Sequence, residues 1–312
     1  MLRFDESSVN SNILNSQISD SMNSPFDLGH ENAYQRWRRR KLDNYPEDAR
    51  GLLVEINRPD RLSVKELAQV SKRISQTNMA LLHCTNPSYI NKECLAALGL
   101  QLGLQELDDN LCADEDAIST LRVDDHKPYI PYTNRPLSWH TDGYYNGPRE
   151  QVLAWSLMCR SDALEGGENQ LLDHEILYIL LRDQDPAFIR ALSAPDAMTI
   201  PPNRVSDHEL RPARIGPVFS VNTSDDSLHM RYSARARNIQ WKQDEALQGA
   251  LDFIKNLFSS GSTYIYRHRL QPGQCLVSNI VLHNRSGFRD APEHRRVICR
   301  ARYHQRIRRA AL

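Results

Sequence analysis

Pro272-Gly273-Gln274-Cys275-Leu276-Val277-Ser278-Asn279-Ile280-Val281-Leu282-His283 carries the sharpest strand signal in the chain. Pro-Gly marks a turn, an apolar run follows, and a histidine closes it. Outward from it, further strands are read at 151–159, 169–172, 215–221, 228–233, 263–269 and 295–304, divided by turn signals such as Gly166-Gly167. Two helices interrupt them. One takes Asp173 as N-cap and runs to about Arg182; the other covers roughly 243–258, with Leu247, Leu251, Ile254, Leu257 and Phe258 as its apolar stripe. Many short strands with inserted helices predict a mainly β fold with flanking helices, a jelly-roll-type barrel.

The upstream part reads differently. Residues 1 to about 30 are rich in Ser, Asn and Asp without periodicity and are expected to form a disordered tail. The basic burst Arg36-Trp37-Arg38-Arg39-Arg40-Lys41 reads as a solvated helix face in preference to an anionic contact. Ser63-Val64-Lys65-Glu66 is a capping box that opens a helix with Val64, Leu67, Val70 and Ile74 on one face. An apolar strand follows at Met79–Cys84, then a helical pattern over 91–104; this block is expected to pack outside the sheet domain. Residues 117–123 read as a strand and 125–137 as an irregular loop holding Pro128, Pro131 and Pro136. The expected organisation is a tail, 1–30, and a single domain, 31–312.

At 312 residues the chain has ample material for a core. Its formal net charge is zero, which disfavours nucleic acid as a partner, and the short basic end at Arg306, Arg308 and Arg309 does not reverse that. The six cysteines (Cys84, Cys94, Cys112, Cys159, Cys275 and Cys299) form no Cys-x-x-Cys pair and sit mostly in apolar runs. They read as buried free thiols of a reducing compartment. No run reaches membrane-spanning length and no signal-peptide pattern opens the chain, so a cytoplasmic protein without membrane contact is expected. Homo-oligomerisation is left open.

Chemistry concentrates in three places. Ser138-Trp139-His140-Thr141-Asp142-Gly143-Tyr144-Tyr145 places an imidazole and a carboxylate two residues apart. In extended chain both side chains point to one side, and together they are two thirds of a facial iron site. With eleven histidines such a tripeptide also arises by chance. His283 stands at a strand end; a lone histidine of that kind is more often a satisfied core residue. Thirteen residues later the strand Arg295-Arg296-Val297-Ile298-Cys299-Arg300-Ala301-Arg302-Tyr303 places Arg296, Ile298, Arg300 and Arg302 on one face. That face is either surface or the polar lining of a barrel, and arginine is suited to clamp a carboxylate through two parallel hydrogen bonds.

His-x-Asp, Gly166-Gly167-Glu168-Asn169, Pro272-Gly273 through His283-Asn284-Arg285-Ser286-Gly287-Phe288 and Arg295–Arg300, in this order within roughly 60–304, resemble the taurine dioxygenase (TauD/TfdA-like) family of iron(II)/2-oxoglutarate-dependent dioxygenases. The resemblance implies a double-stranded β-helix (jelly-roll) fold, with Fe(2+), 2-oxoglutarate and O2 as cofactor and cosubstrates. By position, His140, Asp142 and His283 resemble the iron ligands and Arg296 the arginine that binds the distal carboxylate of 2-oxoglutarate. Asn169 takes the place where the family commonly has a threonine contacting the cosubstrate; an amide can still donate to a carboxylate. Arg300 resembles the second arginine, near cosubstrate or an anionic substrate. Three ligands on one face leave three iron positions, two for the 2-oxo acid and one for O2, with succinate and CO2 as products.

The implied partner is a small-molecule substrate, polar or anionic by reason of Arg300 and Arg302, and hydroxylation is the family's commonest outcome. Its pocket is expected from loops 85–90, 125–137 and 200–212. Trp139, Tyr144 and Tyr145 either wall that pocket or belong to the core. The competing readings are a jelly-roll metal enzyme that does not use 2-oxoglutarate, and a non-catalytic binding protein that keeps the fold.

Overall fold

The computed structural model describes residues 24–109, 114–127, 129–205, 208–235 and 239–308. Residues 1–23 of the expected tail, Cys112, Pro128 and Arg309 lie outside them. The chain divides into two compact units: Met1–Tyr45 with Val221–Leu228, and Pro46–Ser220 with His229–Leu312. In the described part of the first, Glu31–Asp43 is a helix in which Tyr34 and Trp37 are buried; Arg36, Arg39 and Arg40 are exposed as the basic burst predicts, but Lys41, its last residue, is buried. Phe26 meets the Trp37 ring edge-on at 5.0 Å.

The second unit is built on two main sheets. The larger has the strand order Leu53–Glu55, Met79–His83, Gln274–Asn279, Ala154–Ser161, Val297–Tyr303, Ser119–Leu121. Its first pair is parallel and the rest antiparallel. The smaller is antiparallel, in the order Tyr266–His268, Asn169–Leu172, Leu282–Arg285, Leu137–His140. The fold is thus mixed and rich in sheet, with six α-helices among the described residues; the strands are shared between separate sheets, and no closed barrel forms among those residues.

Ala154–Ser161 and Val297–Tyr303 are buried on both faces, as strands covered on both sides are. Ala154, Met158, Cys275, Val277, Cys299, Ala301 and Tyr303 join one apolar cluster with Val70, Ile74, Leu95 and Leu98 of the helices Val64–Thr77 and Lys92–Gln101. The opposite face carries Trp155, Leu157, Arg300 and Arg302, which pair in register as Arg300 with Leu157 and Arg302 with Trp155. The Trp155 ring lies 4.6 Å from that of His283 on the smaller sheet, so the two sheets face each other at this point.

Most predicted elements appear where the pattern placed them, with informative exceptions. The strand Met79–His83 is an interior member of the large sheet, not part of a block outside it, because it pairs with Gln274–Asn279, nearly two hundred residues further along the chain. Val64 is 88% exposed; at 3.6 residues per turn it is rotated by about 90° from the Leu67–Val70–Ile74 face. The capping box is formed, with Ser63 Oγ accepting from Glu66 N and Glu66 Oε2 accepting from Ser63 N. The expected strand 215–221 is split into Arg214–Gly216 and Phe219–Asn222 by Pro217, which has no N–H to give a ladder. The five described cysteines are free and buried, as read.

Candidate active site

Strand register assembles the centre. His140 closes Leu137–His140 and pairs directly with His283 of Leu282–Arg285. Directly opposed residues of an antiparallel pair share a face. The two rings therefore come together, with centroids 4.3 Å apart. Asp142 follows the strand at a turn where Gly143 takes φ 67°, a left-handed conformation, with Val152 where a Cβ would stand. That turn brings Asp142 Oδ1 to 3.5 Å from His140 Nε2. Donor atoms of His140, Asp142 and His283 all lie within 4.8 Å of one another, and all three residues are buried.

The second contacts of the histidines set their tautomers. His140 Nδ1 is 2.9 Å from Ser138 O and His283 Nδ1 is 3.2 Å from Val281 O. A carbonyl only accepts, so Nδ1 carries a hydrogen on both rings and Nε2 is the atom left to face a metal. Burial, with His140 beside it, pushes His283 down to about 3, against the pull of Asp142. Burial alone would raise the Asp142 carboxyl; Arg300, His140, Arg302 and His283 outweigh it and hold the group well below the usual carboxylate range. Two imidazoles and a carboxylate on one face form a donor set that suits iron(II).

The arginine face of Val297–Tyr303 is polar lining, not surface. Arg300 lies 3.9 Å from Asp142 Oδ1 and opens on a cavity of about 840 Å3 that also includes His140, Asp142, Tyr144 and Tyr145. Arg302 lines it too, but is engaged by Asp108 and, at 3.0 Å, by Tyr145 Oη. Arg296 is 5% exposed and lies against the Phe288 ring; its Nη1 has no hydrogen-bond partner. Arg296 does not line the large cavity; with Gly166, Gly167 and Ile298 it borders a void of about 10 Å3. Asn169 shares a face with His283 through the register Asn169–Arg285 and Leu171–His283. Its Nδ2 donates to Asn284 O at 3.0 Å, and its Oδ1 is without a partner.

The flanking aromatics divide. Trp139 stacks on Phe258 at 4.4 Å as core, whereas Tyr144 and Tyr145 face the cavity. Of the expected loops, described residues of 125–137 and 200–212 supply lining and 85–90 supplies none; Tyr89 instead packs under the Arg58 guanidinium. Sequence reasoning did not find Trp155 against His283, nor Arg211, Arg214 and Arg235 in the cavity wall. The close spacing of Arg211 and Arg214 was the available signal; nothing in the sequence aims them inward.

A model of the taurine catabolism dioxygenase TauD, TfdA family matches residues 49–302. This chain belongs to that family. Its fold is shared with solved oxygenases. An asparagine oxygenase in complex with Fe(II), 2S,3S-3-hydroxyasparagine and succinate superposes with a TM-score of 0.55 at 18% identity, covering 77% of this chain and 78% of that one. PvcB from Pseudomonas aeruginosa gives 0.57 at 16% identity, over 84% and 88%. The non-heme iron oxygenase OrfP in complex with Fe, succinate and (3S)-hydroxy-L-Arg gives 0.53 at 14% identity, over 77% and 83%. Among curated proteins none matches this sequence. No helix of the described residues is long and apolar enough to cross a membrane. The TauD/TfdA dioxygenase is therefore an enzyme whose candidate centre opens on a large cavity.

Proposed function

We propose that this TauD/TfdA-family dioxygenase holds iron(II) on His140, Asp142 and His283, uses 2-oxoglutarate and O2, and hydroxylates a small molecule with release of succinate and CO2. The observation that carries the reading is the buried cluster of two imidazoles and an ionised carboxylate, of which His140 and Asp142 line a substrate-sized cavity. Iron(II) bound there would supply the O2 chemistry, with 2-oxoglutarate as the co-substrate that is decarboxylated. The protein's own part is to orient and to exclude water. Ser138 O and Val281 O aim the two imidazoles, and Arg300 keeps Asp142 ionised. Arg296 fits a carboxylate, since its orphaned Nη1 is a buried cationic donor in need of an anion. Asn169 Nδ2 has a second N–H to offer beside the one given to Asn284. The two facing sheets are read as the double-stranded β-helix of the family. Related oxygenases crystallised with iron, 2-oxoglutarate or succinate, and a hydroxylated amino acid support the reaction type.

The test is succinate formation from 2-oxoglutarate, dependent on added iron(II), with His140→Ala and Arg296→Leu as companions. His140→Ala is expected to abolish turnover. Arg296→Leu should raise the KM for 2-oxoglutarate by about 10-fold to 100-fold, the worth of a charge-assisted pair. Unchanged cosubstrate affinity in Arg296→Leu would remove the cosubstrate assignment and favour a metal enzyme that works without it. Protein that binds neither iron nor 2-oxoglutarate would sink the enzyme mechanism as stated.

A further inference from the structure

The cavity has a second cationic wall, remote in sequence from the arginine strand. Arg211 and Arg214 line it on one side, and Arg235 adds a third charge. Behind them Arg231 is 7% exposed and donates only to main-chain carbonyls, Met198 O at 3.3 Å and Arg214 O at 3.4 Å. Arg211 likewise spends its donors on Pro201 O and Pro212 O. The Nε atoms of Arg214 and Arg231 are buried without a partner.

Among the described residues, carboxylates do not balance this group. Glu150 approaches Arg214 at 3.8 Å but is mostly exposed, so the pair is weak. Asp109, also on the lining, is exposed. Asp108 is taken by Arg302, and Asp142 belongs to the ligand cluster. The guanidiniums bear the mark of their crowding: burial pushes Arg231 down to about 10, with Arg211 and Arg214 adding to the push. Like charges gathered without a counter-charge at a cavity wall are stabilised by a bound anion, and guanidinium is the group best shaped to take one.

Tyr144 and Tyr145, just beyond Asp142 in the chain, line the same cavity, and their rings meet edge-on at 5.2 Å. Tyr129, Tyr132 and Leu137 add further aromatic and apolar surface. At about 840 Å3 the cavity is near the upper end of the roughly 300–1,000 Å3 typical of drug-sized ligands. It is built for more than a single polar headgroup.

Resting on the iron reading above, we propose that the substrate is an elongated amphipathic molecule with an anionic group, carboxylate, sulfate or phosphate, that docks on Arg211 and Arg214. Its body lies along the tyrosines, and the bond to be oxidised is presented at His140 and Asp142. Arg211 and Arg214 are then specificity-determining residues for the reaction.

The probe is 8-anilinonaphthalene-1-sulfonate, an aromatic anion, with uncharged N-phenyl-1-naphthylamine as its neutral counterpart. Both are titrated by fluorescence into full-length protein carrying iron(II) and saturating 2-oxoglutarate without oxygen, so that the cosubstrate site is already filled. The wild type should bind the sulfonate more tightly than the amine, and added salt should narrow the gap. Arg211→Ala/Arg214→Ala should weaken the sulfonate by roughly 10-fold to 100-fold and leave the amine within about 2-fold. Arg211→Lys/Arg214→Lys should retain most of the binding. Equal binding of the two probes to the wild type overturns the proposal, and needs no variant to fold. So does sulfonate binding that survives loss of both arginines. Cosubstrate binding is recorded in the same samples. Protein that takes the sulfonate as expected but holds no iron or 2-oxoglutarate overturns the reaction reading and the substrate role with it, while the anion site stands.

Discussion

Two walls meet at Asp142, and they are made in different ways. On one side His140, His283 and Asn169 stand on paired strands, where hydrogen-bond register fixes which side chains share a face. On the other, Tyr129 and Arg235 reach the cavity from irregular segments and Tyr132 from a single 3-10 turn, while Arg211 and Arg214 stand on the short strands His208–Arg211 and Arg214–Gly216. The strand-built wall has one geometry available to it. The second wall rests on short two- and three-stranded pieces and irregular segments, which constrain fewer side chains than the long ladders of the first.

The difference can be broken or sharpened by mutation. The largest effect is expected at Asp142. Asp142→Ala should cut both iron retention and succinate formation by more than about 100-fold, beyond the cost of losing an outer partner of a ligand. Iron bound at wild-type strength in this variant would show that the strand-built wall is not the metal site. Next comes Arg302, two residues from Arg300 and on the same face. Because Arg302 is engaged by the buried Asp108, Arg302→Leu leaves that carboxylate with only the Asn146 amide and a distant His304 and should cost about 3 kcal/mol in urea unfolding. The double variant Asp108→Leu/Arg302→Leu should recover much of that loss. If instead Arg302→Leu unfolds like the wild type, its place is with the substrate groups and not with the scaffold.

A smaller effect tests the hinge between the walls. Gly143→Ala puts a Cβ against Val152 in a left-handed turn and should destabilise by about 1–2 kcal/mol, with weaker iron binding as Asp142 is displaced. The last is spread over the pH profile and is small at any pH near neutrality. His229 is buried, and burial, with His174, Arg306 and Arg231 nearby, pushes it down to about 3 from an ordinary value of 6.5. Between those values the unfolded chain binds the proton and the folded one does not. Stability should therefore be complete above about pH 6.5 and fall as the pH drops toward 3, by up to about 1.4 kcal/mol per pH unit for this one group. His229→Gln should flatten that fall in metal-free protein; an unchanged slope would assign the acid sensitivity elsewhere.

Local signals in the sequence were reliable where the cause is local. Ser63 and Glu66 cap each other, Asp173 accepts from Glu175 N, and the alternation of Arg296 to Tyr303 separates a polar from an apolar face as the pleat requires. The helix Pro186–Leu192 was also announced, by Asp185 as N-cap and Pro186 at the first turn, though the reading passed over it. Whether the arginine face of that strand meets solvent or lines a cavity was not legible. Alternation defines two faces and does not say what covers either.

His140, Asp142 and His283 could be nominated from residue type, order and spacing, because metal ligation demands imidazole and carboxylate and tolerates few substitutes. What only the tertiary structure decided is their meeting: the pairing of His140 with His283 across 143 positions, the burial that keeps His283 neutral, and the split of Trp139 into core while Tyr144 faces the cavity. The same holds for Arg211, Arg214 and Arg231. A surface arginine and a cavity arginine are identical as letters; the cost of desolvating the charge, and so its demand for an anion, exists only once the chain has closed around it.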